Sequence, residues 1–307
     1  MKKGILVIGS LNMDMSVSLD KIPEVGETVL GNGLSYREGG KGANQACAAG
    51  KLLAEVRMLG CIGQDEFGKR QRESLEESGV AAEYLKESLS QPTGTAIIYV
   101  DVRGDNNIVV IPGANNQCDA EYLSAQHELF EWCDYVLLQM EIPHDAVEFA
   151  VIKAKEMGKT VILNPAPAPE TLSEHILQAV DYLTPNETEL MKLSGVKGDS
   201  IEEMKKGASI LRERGVKQVL VTLGDRGALL VKEGETRIYP AQKVKAVDTT
   251  AAGDCFNGAF VTALAEGKSE EEAILFANAA SAIAVTRKGA QESLPMREEL
   301  DSGGVKE

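Results

Sequence analysis

The residues with the strongest claim to chemistry lie late in the chain, in Asp248-Thr249-Thr250-Ala251-Ala252-Gly253-Asp254-Cys255-Phe256-Asn257-Gly258-Ala259. Small residues crowd Ala251 to Gly253, and a helical pattern follows through Ala265. Small side chains at a helix start let backbone N–H groups approach a ligand closely, and those first amides have no partner inside the helix. Such a start is an anion hole suited to a phosphoryl group in transit. Asp254 falls in the first turn. A carboxylate beside a phosphate site works against the anion unless it has a task, and accepting the proton of an attacking hydroxyl is such a task. By itself the segment equally admits a carboxylate that only complements the helix dipole.

A second segment, Gly39-Gly40-Lys41-Gly42-Ala43-Asn44-Gln45-Ala46, combines glycines that permit tight turns with a polar pair at the entry of a small-residue helix. Alone it also reads as a plain glycine-rich turn. Other signals fail on inspection. Gly267-Lys268-Ser269 has Thr262 where a P-loop needs its first glycine, and reads as a helix end followed by a capped start. Gly31-x-Gly33 has Tyr36 where a dinucleotide fingerprint needs its third glycine. There is no G-x-S-x-G elbow, and Asn186-Glu187-Thr188 has no secretory context that would make it a glycan acceptor.

The elements that must position these segments alternate between strand and helix. Gly4 to Gly9 is a short apolar run bounded by glycines, and Tyr135–Leu138, Thr160–Leu163, Val219–Val221 and Ala228–Val231 repeat the style. Asp145–Met157 and Ile201–Arg214 have helical patterns, and Ser200-x-x-Glu203 and Ser269-x-x-Glu272 are capping-box signatures. This alternation predicts right-handed crossovers, a parallel sheet covered on both faces, and ligands at the carboxyl ends of its strands. Two stretches differ: 12–37 and 93–111 are turn-rich and hairpin-like, and together suit a small separate sheet.

Composition narrows the function classes. The 307 residues carry a formal net charge of −15, which disfavours nucleic acid and anionic membranes as partners while leaving a local nucleotide site open. Five dispersed cysteines with no C-x-x-C spacing argue against a disulfide framework or a zinc knuckle. Ile5-Leu6-Val7-Ile8 is broken by Gly9-Ser10, short of the ~7–15 apolar residues of a signal. No stretch approaches the ~18 of a membrane span. A cytoplasmic protein is expected.

Taken together, the two glycine-rich segments resemble the signatures of the PfkB family of carbohydrate kinases, most closely its ribokinase branch, whose variant carries Ala251-Ala252-Gly253-Asp254. The resemblance runs from Gly9 to Ser293. It implies an α/β fold, the ribokinase-like three-layer α/β/α sandwich with a mostly parallel central sheet plus a small β-sheet lid. The chain would be one domain over 1–307, with the lid built from 12–37 and 93–111. Asp254 would be the catalytic base, with the amides of Ala251, Ala252, Gly253 and Asp254 holding the phosphoryl group. Sugar would contact Asn12, Asp14, Gly40, Lys41, Gly42, Ala43, Asn44, Glu141 and Asp254. A polyol needs such a mixture of acceptors and donors. Without the resemblance Asp14 reads as a turn residue and Glu141 as a solvated loop charge.

ATP would rest on Asn186, Glu189, Thr222, Leu223, Gly224, Asp225, Arg226, Gly227, Gly253 and Asn278. Asn186 and Glu189 also fit a capping box, and the two roles are compatible. Mg²⁺ is implied with the nucleotide. A monovalent cation, K⁺, is implied at oxygens of Asp248, Thr250, Ala284, Arg287, Gly289 and Ser293, where it would order the anion-hole loop. The expected reaction is ATP-dependent phosphorylation of D-ribose at its primary hydroxyl, in a homodimer paired through lid strands. The rivals are a family member acting on deoxyribose, fructose or a nucleoside, and a sugar-sensing binding protein without catalysis. A dinucleotide dehydrogenase lacks its glycine fingerprint.

Overall fold

The computed structural model describes residues 3–303. A nine-stranded sheet runs in the order Glu235–Tyr239, Ala228–Lys232, Gln218–Thr222, Tyr182–Leu183, Thr160–Leu163, Tyr135–Leu138, Gly4–Ile8, Glu55–Leu59, Val80–Ala81. All neighbours pair in parallel from Gln218–Thr222 onward, and the first two strands are antiparallel.

Strand alternation feeds two cores. In Gly4–Ile8, Leu6 and Ile8 join one apolar cluster while Ile5 and Val7 join the other. Val136 and Leu138 likewise face away from Tyr135 and Leu137. The first core is completed by helices including His144–Glu156 and Ile201–Glu213, the second by Lys41–Lys51, Ala252–Ala265 and Glu270–Ala284. Both faces of the sheet are therefore covered, which is why its strands read as unbroken apolar runs. The three-layer α/β/α expectation holds.

The hairpin-like stretches build one four-stranded sheet, ordered Gly31–Gly39, Asn12–Leu19, Gly94–Val100, Asn106–Ile111. Asn12 pairs with Gly39 on one side and Gly94 on the other, so the root of the small sheet lies where the Gly4–Ile8 strand ends. Ser269 and Glu272 form the full reciprocal capping box, whereas Ser200 only accepts from the Glu203 amide. All five cysteines are buried and free. Among the described residues, no helix is long and apolar enough to cross a membrane.

Candidate active site

The start of the Lys41–Lys51 helix is pressed onto the backbone following the first strand. Gly40 takes φ +89 at its N-cap, and a Cβ at Gly42 would meet the Gly9 carbonyl carbon at 2.6 Å. The Ala43 amide donates to Ser10 O at 3.0 Å. Only glycine satisfies both demands, a left-handed turn and backbone-to-backbone approach. Ser10 Oγ donates to Glu141 Oε2 at 2.6 Å, and the Lys41 amide donates to the same oxygen at 3.2 Å. Glu141 is thus held by two hydrogen bonds at a half-buried position.

Asp14 stands opposite. Burial pushes its carboxyl up to about 7, with the charges of Glu141 and Asp254 adding and Lys41 opposing. Burial alone would lower Lys41, but Asp254, Glu141, Glu189 and Asp14 outweigh it and hold the ammonium above its ordinary value. Four carboxylates and one cation therefore share one electrostatic neighbourhood. Asn12 is buried, its Oδ1 accepting from Asn115 Nδ2 at 2.8 Å and its carbonyl from Gln71 Nε2 at 2.6 Å.

The Ala252–Ala265 helix begins with Ala251 in the left-handed region, φ 58, the sort of backbone outlier that clusters at functional turns. The sequence places four amides here for a ligand. One is already used: Ala252 N–H donates to Thr249 O at 3.2 Å, so Ala252 is corrected to a turn-closing role. Cys255 N–H donates to Ala251 O at 2.8 Å. The amides of Ala251, Gly253 and Asp254 have no acceptor among the described residues. Asp254 is buried, with Asn44 Nδ2 donating to Oδ2 at 2.9 Å and Gln45 Nε2 donating to Oδ1 at 2.9 Å. A cleft of about 200 Å³ opens before this helix start, lined by Lys41, Asn164, Thr184, Asn186, Glu189, Thr222, Thr249, Ala251, Ala252, Gly253, Asp254 and Asn257. A wider depression of about 410 Å³ lies along Leu53–Arg57 near the other sheet edge, and no sequence-predicted site residue lines it.

Across the cleft, Asn186 caps the Glu187–Ser194 helix in a complete box, with both reciprocal bonds at 2.8 Å. Burial pushes Glu189 up, while the Asn186 amide and Lys41 oppose it and Asp254 adds to it. Thr222 donates its amide to Pro185 O at 3.0 Å and so stands beside Asn186. In the loop that follows, Gly224 and Gly227 take φ 57 and 97, Asp225 is exposed, and Arg226 pairs with Glu187. The Leu223 side chain belongs to the core, and its backbone closes the loop, the N–H donating to Gly227 O at 2.8 Å and the carbonyl accepting from Arg226 N–H at 3.1 Å. Asn278 Nδ2 donates to Tyr239 O at 3.0 Å and Pro240 O at 3.3 Å, stitching the segment beneath Gly227.

The residues expected at a monovalent ion fall on two joined loops. Asp248 Oδ1 accepts from the Thr250 amide and hydroxyl, and Oδ2 accepts from the Gly289 amide at 3.0 Å. Burial would raise Asp248, but these hydrogen bonds win and hold it below the usual range. Asp248 N–H also reaches Val285 O, just past Ala284, whose carbonyl accepts from Arg287 N–H. Ser293 is buried, its hydroxyl donating to Ala290 O at 2.8 Å.

Sequence reasoning missed Ser10, Gln45, Asn115, Gln139, Asn164, Thr184 and Asn257. The last two reach the helix start: Thr184 Oγ1 donates to Asn257 Oδ1 at 2.6 Å, and Asn257 Nδ2 donates to Gly253 O at 2.8 Å. Gln45 and Asn257 stand inside the two quoted segments, which was the only signal available; the others sit singly after strands.

The family model described as pfkB family carbohydrate kinase matches residues 2–297. A ribokinase of Haemophilus influenzae is 42% identical, over 97% of each chain. A deoxyribokinase of Salmonella typhimurium is 35% identical, again over 97% of each. The structure of Arabidopsis thaliana ribokinase complexed with ribose and ATP superposes with a TM-score of 0.93 at 35% identity, covering 98% of both chains.

Proposed function

Because the chain belongs to the pfkB family of carbohydrate kinases, we propose that it transfers the terminal phosphoryl group of ATP to the O5 hydroxyl of D-ribose, releasing D-ribose 5-phosphate and ADP. The observation that carries this reading is the meeting, in one cleft, of the bare Gly253 and Asp254 amides with the buried Asp254 carboxylate. Asp254 accepts the O5 proton as that oxygen attacks the phosphorus, and the bond to the ADP oxygen breaks. The amides receive the charge of the transferring group, and Lys41 supplies the nearest positive charge on the cleft wall. Sugar hydroxyls donate to Asp14 and Glu141 and to Asn44 Oδ1, a buried acceptor that otherwise has no partner among the described residues.

Mg²⁺ suits this cleft. It asks for one or two carboxylates and completes its shell with phosphate and water, and among the described residues no larger acidic cage exists. Glu189, with Asn186 beside it, would hold it on the nucleotide side, where the ion neutralises phosphate oxygens. Potassium would sit among carbonyls of the Asp248–Thr250 and Ala284–Ser293 loops, with Asp248 tying the two together. The edge strand Asn106–Ile111 leaves Ile108, Val109, Val110 and Ile111 exposed, and pairing of two small sheets in a homodimer would cover them.

The test is a coupled assay for ADP release with ribose, deoxyribose, fructose or adenosine as acceptor, with and without potassium. Ribose is expected to give the highest kcat/KM, potassium to raise the rate, and ATP consumption without sugar to be negligible. Deoxyribose is the second reading, favoured by the deoxyribokinase relative. A rate with ATP that is independent of any sugar overturns the proposal.

Asp14 makes a pH prediction. Its carboxyl in the ligand-free protein stays protonated up to about 7. The folded state therefore binds more protons than the unfolded chain from about pH 4 to pH 7, and Asp14's contribution to stability falls as pH rises through that window. A sugar hydroxyl donating to Asp14 favours the carboxylate, so ribose binding releases a proton and tightens as pH rises from 6 to 8. Calorimetry in two buffers of different ionisation enthalpy should detect that proton near pH 6.5. Asp14→Asn should abolish the release and weaken ribose. A wild-type affinity that is flat over this range contradicts the assignment.

A further inference from the structure

The carboxylate of Asp254 is gripped by two consecutive side chains of the Lys41–Lys51 helix, and only one of them has a place in the sugar site. Asn44 is that one. Gln45 is fully buried behind it, donating Nε2 to Asp254 Oδ1 at 2.9 Å and, at 3.2 Å, to Asn164 Oδ1. Its Oε1 accepts from Gln139 Nε2 at 2.7 Å. Gln139 is itself fully buried, in a space that exists because Gly9 lacks a side chain.

The directions of these bonds are forced. A carboxylate of Asp254 in its basic form can only accept, so Gln45 must turn its NH₂ toward it. The Gln45 oxygen then faces away and needs a donor, which fixes the NH₂ of Gln139. One amide chain thus starts after the Tyr135–Leu138 strand and ends on Asp254, with every dipole aligned toward the acid. Gln139 Oε1 is left buried without a partner among the described residues, a local cost that this alignment imposes.

We propose that Gln45 is a positioning residue for phosphoryl transfer. It locks the rotamer of Asp254 from behind, so that the remaining lone pairs face the incoming hydroxyl. It touches neither substrate. Two donors on one buried carboxylate also hold it in place against the attraction of the Lys41 charge.

The inference rests on Asp254 acting as base in the sugar phosphorylation proposed above, and the experiment separates the two. Wild-type protein that turns over no sugar sinks both. Given wild-type turnover, Gln45→Met and Gln45→Glu are compared, with kcat expressed per folded, ADP-binding site. Gln45→Met keeps the volume and removes the donor; kcat should fall about ten- to a hundredfold, as for a misaligned reacting group, with KM for sugar and ATP within about twofold. Gln45→Glu keeps shape and length but sets an acceptor, or a shared proton, against Asp254, and should be slower still. A packing role predicts the reverse, with the isosteric Glu near wild type. Gln139→Met, which frees the Gln45 amide to flip, should lose kcat to a smaller extent at constant KM, and decides the matter if the Gln45 variants do not fold. Wild-type kcat in any folded Gln45 variant, or a loss carried by the KM for sugar, overturns the proposal.

Discussion

Asp254→Asn should lower kcat by about a thousandfold, within the ~10²–10⁴ that a positioned general base contributes, while the protein still binds ADP. The substitution is close in volume, so the effect is chemical. An amide cannot take the O5 proton. It also disturbs its own anchorage: Asn44 and Gln45 each present an NH₂ to a different oxygen of Asp254, and asparagine offers one oxygen and one NH₂. One donor is left facing another donor unless the Asn44 amide flips, which turns its Oδ1 away from the sugar. Asp254→Ala removes that conflict, so the two variants separate loss of the base from repulsion. Both should show the same low kcat if proton acceptance dominates. The measurement is sugar-dependent ADP release at saturating ATP, with ADP binding as a control for folding. An Asp254→Asn rate within tenfold of wild type would mean that the hydroxyl loses its proton elsewhere, and the mechanism would have to be abandoned.

Much of the frame behind this prediction was legible in the sequence, because it depends on local periodicity. Gly4–Ile8 and Tyr135–Leu138 are short unbroken apolar runs, and a strand buried on both faces has no other way to look. The small sheet was visible as turn-rich stretches with a different rhythm. Asp254 stood out because a carboxylate after three small residues is chemically conspicuous. The amide chain was not legible. Gln45, Gln139, Asn164 and Thr184 come from a helix and from the ends of three separate strands, and each alone is an ordinary polar residue. Their meaning lies in directions of hydrogen bonds, which are set only when the strands stand side by side. Ala252 shows the same limit on a smaller scale. Whether a first-turn amide is free depends on one carbonyl, Thr249 O, folding back onto it. Tyr182–Leu183 is too short to carry a pattern, yet it places Thr184 and Asn186 on the cleft wall.

Gly253→Ala should separate stability from activity. A Cβ at Gly253 would meet no atom within 4 Å, so the folded protein accommodates it without strain. The residue is in the first turn of the Ala252–Ala265 helix, where alanine is preferred over glycine by up to ~1 kcal/mol. Thermal stability should therefore hold or rise by a degree or two. The open space that receives the methyl is nonetheless the cleft, because Gly253 is exposed and lines it. A methyl group there keeps the phosphoryl group from the Gly253 and Asp254 amides. Removing one such donor from a transition state costs about 10²–10³ in rate, and kcat should fall by about a hundredfold. Ribose affinity should hardly change, since Asp14, Glu141 and Asn44 are untouched. Differential scanning calorimetry and steady-state kinetics on one preparation would show the two quantities moving apart. A variant as active as wild type would mean that the transferring group does not pass over this helix start, whatever Asp254 does.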